Sequence, residues 1–431
     1  MRSHESGVFL LEGAVQHYEW GGHDLIPGLL RIENKEATPF AELWIGAHPM
    51  APATARVGGL AVKLDRLLEE APEAVLGPAA ARRFAGRLPY LLKILDAHQM
   101  LSIQAHPDKR QAAEGFAREN AAGIPLDAPQ RNYRDHNHKP ELQVALTEVW
   151  MLHGFRGLEQ IGETLGAVPE LMPVMPEFGE RLEEAGEHPE ARRELLRELY
   201  AAVMAMPQRR VDAILDPLIA RLAREEPSDR NATDFWALRA AEHFPLPGGH
   251  RDRGIFSIYL LNLLRLAPGQ GTFQPAGVLH AYLEGANVEL MASSDNVLRG
   301  GLTPKHVDMD ELMRTLSFES GAPALLEGQP LSPTETVYRA PVEEFELSRI
   351  KVGPGKTHSG RAAHGPDALI VLEGCATLTS QGRTMVLDRG ASVLVCCGVD
   401  YAIDAVRGPA LLFKAAIPDP GARPSRPPRA A

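Results

Sequence analysis

The sequence predicts a mainly β protein with one all-helical insertion, on three observations. Short apolar runs broken by Gly and Pro turns fill roughly residues 8–155 and return from about 254. Between them, from about 157 to 245, apolar residues recur at helical spacing. A strand–turn–strand pattern occurs twice, as "GQGTFQPAGVLH" (269–280) and "GASVLVCCGVDY" (390–401).

In chain order, "MRSHESGVFLLEGAVQHYEW" lacks a basic leader and a cleavage site, and reads as a first strand. "VKLDRLLEEAPEAVLGPAAARRF" and "DKRQAAEGFAREN" read as helices, and "YLLKILD", "LSIQAH" and "ELQVALTEVWML" as strands. "PEARRELLRELYAAVMAM" and "RRVDAILDPLIARLAREE" are amphipathic helices. In the second, Val211, Ile214, Leu215, Leu218, Ile219 and Leu222 share a face, and Pro217 is a point for a kink or a split. "IFSIYLLNLLRLAPGQG" is apolar on both faces and is expected to be a buried central strand. "DALIVLEGCATLTS", "RTMVLDRG" and "ASVLVCCG" continue as short strands, and the Pro- and Arg-rich end is expected to be disordered.

At 431 residues the chain exceeds one ordinary core, so two or three domains are expected. A net charge of −11 opposes nucleic acid and anionic membranes as partners, but leaves room for a small anion met by a local Lys/Arg cluster. No apolar run approaches bilayer length. Cys375, Cys396 and Cys397 are the only cysteines and form no C-x-x-C pair. That suits a reduced, cytoplasmic setting, and any metal site must use His, carboxylate or amide.

In "LSIQAHPDK" (101–109), Ser102, Gln104 and His106 alternate with Ile103 and Ala105, so the three polar residues share one strand face. Such a face is either solvated or half of a metal site, and partners elsewhere must decide. Aligning the two repeats sets Gly277 on Gly398, Pro275 on Cys396 and His280 on Tyr401, so the second copy lacks the histidine.

The pattern G-x5-P-x-G-x2-H resembles the second signature of the cupin superfamily, double-sheet jelly rolls that enclose a metal; Glu284 stands where cupins usually carry Asn. "QHYEWG" (16–21), "ELWIGAHP" (42–49), "LSIQAHPDK", "HNHKPEL" (136–142), "PAGVLHAYLEG" (275–285) and "SSDNVLRGGLTPKHVD" (293–308) follow in an order that resembles the type I phosphomannose isomerases. The resemblance runs from about residue 10 to 310. It departs at His17 and Glu19, where the family more often has Asn and Asp.

The resemblance implies two cupin-type jelly-roll β-barrels plus an all-helical domain. The expected boundaries are 1–156 and 249–332 for a catalytic roll, 157–248 for a helical insertion, 333–417 for a metal-free roll and 418–431 for a tail. It implies one Zn²⁺ per chain, held by Gln104, His106, Glu141 and His280, a donor set that suits a borderline cation. It implies conversion of mannose 6-phosphate to fructose 6-phosphate through an enediol, within carbohydrate metabolism and GDP-mannose supply.

That reaction needs a proton-transfer group and a stabiliser of oxyanion charge. Arg299 matches the family's active-site arginine; Lys139, two before Glu141, is the favoured acid–base group, with Glu289 and Asp295 as further candidates. Ser102, Lys305, Glu289 and Asp295 are expected to contact the sugar phosphate. A monomer is expected. The competing readings are an Fe²⁺-dependent cupin dioxygenase, against which the Gln ligand speaks, and a non-catalytic sugar or metal sensor.

Overall fold

The computed structural model describes residues 7–421, so most of the expected disordered tail lies outside the described residues. Strands dominate both ends of the chain, and residues 158–249 carry helices only. The strands form a nine-stranded, a ten-stranded and a four-stranded sheet.

The ten-stranded sheet is organised around one long strand, His280–Ala292. Its first half pairs with Ile103–Ala105 and Val149–Phe155, and its second half with Tyr90–Ala97 and Glu141–Ala145. The change of partners falls at Gly285, whose φ is +113° and where a Cβ would collide with the carbonyl oxygen of Glu148, so the crossing requires glycine.

Alternation sorts the side chains of this sheet. Leu92, Ile94, Leu142, Val144, Val288 and Leu290 share a core with residues of the nine-stranded sheet. Lys93, Glu141, Gln143 and Glu289 fall on the opposite face by the period of two, and there the site is built.

Three elements differ from expectation. The run from 254 is no buried central strand: Gly254–Leu260 is a helix, and Leu261–Leu266 is a strand at the end of the sheet, pairing only with Val149–Phe155. Apolarity on both faces fits a buried helix as well as a buried strand. Pro217 does not split its helix, which runs from Gln208 to Glu225 with the six expected apolar residues buried and Pro217 on the exposed face. The strand Val8–Glu12 forms as expected, but it pairs with Ser392–Val395 in the nine-stranded sheet and so binds the two ends of the chain together.

The repeat is visible in the backbone. Gly269 and Gly390 have φ of +91° and +87°, and Gly277 and Gly398 of +78° and +84°. The amide of Gly277 donates to the carbonyl of His106 at 2.8 Å, and that of Gly398 to the carbonyl of Ala362 at 2.7 Å. Gln274 stands opposite Glu141, and Val395 opposite Asp367. His280 stands opposite Gln104, and Tyr401 opposite Gly360. Position for position, Gln104, His106, Glu141 and His280 become Gly360, Ala362, Asp367 and Tyr401. In the second copy Tyr401 donates to Asp367 at 2.8 Å, and its ring occupies the space a side chain at 360 would need.

Candidate functional site

His106, Glu141 and His280 converge, each offering a ligand atom within 4.8 Å of the others, and all three are buried. Glu141 bridges the rings: Oε1 lies 3.4 Å from Nε2 of His106 and Oε2 3.2 Å from Nε2 of His280. Both Nδ1 atoms face backbone carbonyls, that of Asn296 at 2.8 Å and that of Val278 at 3.0 Å. This fixes the tautomer that leaves each Nε2 a free lone pair. Nε2 of His106 is buried without a hydrogen-bond partner among the described residues, an orphan that a cation would satisfy. Gln104 is the ladder partner of both His280 and Arg299, so its side chain projects from the same face. Two imidazoles, a carboxylate and a neighbouring amide fit Zn²⁺.

Charge is set for that task. Burial, then Lys139, pushes His106 down to about 4, which keeps it a neutral donor. Burial raises the Glu141 carboxyl, but Lys139 and His106 more than reverse this and hold it well below the usual carboxylate range. Burial also lowers His153, the other cross-strand neighbour of His280, to about 4. Below the ordinary histidine value of 6.5 the unfolded chain takes protons that these two rings refuse, so folding becomes less favourable as pH falls toward 4. The urea midpoint of metal-free protein is expected to fall across that window; an unchanged midpoint would contradict the neutral, buried assignment.

Asn296, in the "SSDNVLRGG" block, holds this geometry from behind. Its side chain accepts from the amide of Arg134 at 2.7 Å and donates to the carbonyl of Asn137 at 2.8 Å, while its own carbonyl faces His106. One residue thereby ties the 134–137 loop to a candidate ligand.

A second cluster was missed in the sequence. Lys93 is buried, with Nζ 3.1 Å from Glu289 Oε1 and 3.7 Å from Glu42 Oε2. Tyr282 donates to the other oxygen of Glu289 at 2.8 Å, and Trp44 Nε1 donates to Glu42. Burial opposes the Lys93 charge, but Glu42 and Glu289 overcome it and its pKa rises. Burial, then Glu141, raises Glu289. The signal was available: a lone lysine inside "YLLKILD" needs a buried counter-charge.

A cavity of about 340 Å³ opens above these groups, lined by Lys93, Lys139, Asp295, Arg299 and Lys305 among others. Lys139 links it to the candidate ligands, with Nζ 3.2 Å from Glu141 Oε1. Asp295 Oδ1 lies 3.4 Å from Nε2 of His48. Arg134, which the sequence reading did not single out, lines the same wall. Burial, then Arg134, lowers Arg299, and burial, then Arg299 and Arg134, lowers Lys305. Three mutually repelling cations form a receptor for an anion.

Not every expected contact residue lines the cavity. Glu289 is engaged with Lys93 and Tyr282 and lies outside the lining, as does Ser102, whose Oγ accepts from Nε2 of Gln104 at 3.5 Å. His138, beside Lys139, is turned away to Glu344 at 2.8 Å.

A family model described as phosphomannose isomerase type I, catalytic domain, matches residues 8–158. Mannose-6-phosphate isomerase from Salmonella typhimurium is 38% identical over 388 residues, covering 89% of this chain and 94% of that protein. The Macaca fascicularis counterpart is 34% identical over 412 residues, with 90% and 93% covered. The fold matches a crystal structure of mannose 6-phosphate isomerase from Salmonella typhimurium bound to substrate (fructose 6-phosphate) and zinc, with a TM-score of 0.83, 35% identity, and coverage of 95% of this chain and 100% of that one.

Proposed function

The chain belongs to the type I phosphomannose isomerases, and from that premise we propose that it interconverts mannose 6-phosphate and fructose 6-phosphate with one Zn²⁺ per chain. The observation that carries this reading is the adjacency of the His106–Glu141–His280 cluster, with its unpartnered Nε2, to a cavity bearing three crowded cations.

In this reading His106, Glu141, His280 and Gln104 hold the ion. An ion held there would supply Lewis-acid polarisation of the substrate's oxygens. Arg134 and Lys305 bind the phosphate, and Arg299, next to Gln104 in the ladder, stabilises oxyanion charge as the enediol forms. Lys139, between the cavity and Glu141, is the acid–base group: as the free amine it takes the C2 proton of mannose 6-phosphate and returns it to C1, while the hydroxyl proton passes from O2 to O1. Asp295 accepts from a sugar hydroxyl. Ser102 supports Gln104, and Lys93 with Glu289 positions the strands that carry the candidate ligands.

The finer architecture follows the same reading. The ten-stranded sheet is a catalytic jelly roll, residues 158–249 an all-helical insertion, and the strands from 335 to 416 a metal-free roll. Salt links from Arg230 and Arg239 to Glu284 fasten the insertion to the His280–Ala292 strand. No helix among the described residues is long and apolar enough to cross a membrane. We read the protein as a cytoplasmic monomer that does not bind nucleic acid.

The test is turnover of mannose 6-phosphate before and after chelation. Activity is expected to be lost on chelation and restored by stoichiometric Zn²⁺. Stoichiometric metal binding without turnover would overturn the isomerase reading in favour of a sensor, and restoration by Fe²⁺ alone with oxygen uptake would favour the dioxygenase.

A further inference from the structure

A second cavity, of about 590 Å³, lies between the two large sheets and shares no lining residue with the catalytic one. One side is formed by Ile94 and Ala145 of the ten-stranded sheet, the other by Leu372 and Phe413 of the nine-stranded sheet. Ile94, Leu372 and Phe413 belong to the core between the sheets, and at its edge the partly exposed Leu25, Leu146 and Leu411 line the cavity.

The same cavity carries Arg349, Lys351 and Arg389 against the single carboxylate of Glu373. On the strand Glu346–Val352, Leu347, Arg349 and Lys351 project from one face. The strand therefore passes from the packed core, at Leu347, into the cavity with two successive cations. No hydrogen bond or ion pair joins the side chains of Arg349, Lys351 or Arg389 to any described residue. Nε of Arg349 is buried and unpartnered, and its guanidinium lies against Gly269, where a Cβ would collide with it. Elsewhere on the surface arginines are commonly paired, as in Arg83–Glu343 and Arg221–Glu170. A buried guanidinium nitrogen without an acceptor is costly unless an anion completes it.

Volume, an apolar wall and a net charge of about +2 at the opening define one ligand chemistry. We infer that this cavity binds a small polyanion with a flat ring system, of the nucleoside diphosphate class. The ring system lies against the partly exposed Leu25, Leu146 and Leu411, the phosphates meet Arg349, Lys351 and Arg389, and Glu373 accepts from an amino or hydroxyl group. The ligand would lie behind the sheet of the catalytic site, since Ile94 follows Lys93 and projects from the opposite face of the same strand.

Calorimetric titration of the full chain with ADP and GDP, with inorganic phosphate in parallel, tests the site. Binding of one nucleotide per chain with a Kd below about 1 mM is expected, and phosphate alone should bind about tenfold more weakly for want of the apolar wall. The R349Q/K351Q variant should weaken nucleotide about tenfold or more, as expected for lost charge-assisted hydrogen bonds, while turnover of mannose 6-phosphate without nucleotide stays unchanged. R389Q, at an exposed position, gives the same test without risk to folding. No binding of either nucleotide at millimolar concentration overturns the inference. So does binding that survives R349Q/K351Q and R389Q, or that mannose 6-phosphate displaces competitively, which would place the nucleotide in the catalytic cavity.

Discussion

Replacing Glu141 by Gln is expected to remove both bound zinc and isomerase activity while leaving the chain folded. Glu141 is the anionic member of the candidate ligand set and touches both imidazoles, at 3.4 and 3.2 Å. Loss of a residue that merely orients a ligand costs about 10–100-fold in affinity, so loss of the carboxylate itself should cost more than about 10²-fold. Zinc per chain by elemental analysis and the rate of fructose 6-phosphate formation should fall together. Asp367→Asn is the control. It occupies the corresponding place in the second copy, where burial raises its pKa to about 6 and Tyr401 donates to it. It should change neither readout. If Glu141→Gln kept its zinc, or Asp367→Asn lost it, the ligand assignment would be wrong.

The second large effect is expected from Lys93→Met, and it is an effect on folding as well as on rate. The substitution keeps the volume but leaves Glu42 and Glu289 buried without their cation. Removing one partner of a buried ion pair costs about 3–5 kcal/mol, because the remaining charge is uncompensated. The deficit depends on pH. Glu289 is already raised by burial and by Glu141, and without Lys93 it rises further. A carboxyl whose folded pKa lies above its unfolded value binds more protons when folded. Its neutral form stabilises the fold at low pH, and that contribution disappears as pH climbs through the folded pKa. The shift in urea midpoint relative to the unmodified protein should therefore be larger at pH 8 than at pH 5. An equal shift at both values would show that Lys93 acts through packing alone.

These two residues also mark how far the site was legible beforehand. Glu141 was accessible through the family resemblance, which rests on blocks such as "HNHKPEL"; only Gln104 and His106 were also brought together by strand alternation within a few consecutive letters. Lys93, Glu42 and Tyr282 sit in apolar runs that look structural. Only the register of the Tyr90–Ala97 strand against its neighbours sets Lys93 opposite Glu289 and near Glu42. Ser102 shows the converse: it lies just before the strand Ile103–Ala105, and its hydroxyl meets Gln104 and not the cavity.

Apart from the full set of candidate ligands, which came from the family resemblance, the sequence by itself determined the β-rich character, the helical segment, the lost histidine of the second repeat and the pairing of Gln104 with His106. These depend on periods of 2 and 3.6 residues and on turn chemistry, which act over a few bonds. Tertiary structure alone decided that the first strand completes the sheet of the C-terminal strands, that residues 254–266 divide into a helix and an end strand, and that three cations crowd one wall of the cavity. Those outcomes depend on which strand edge finds which partner. The choice is made by burying whole faces against each other across hundreds of residues, and no local window contains both sides of the contact.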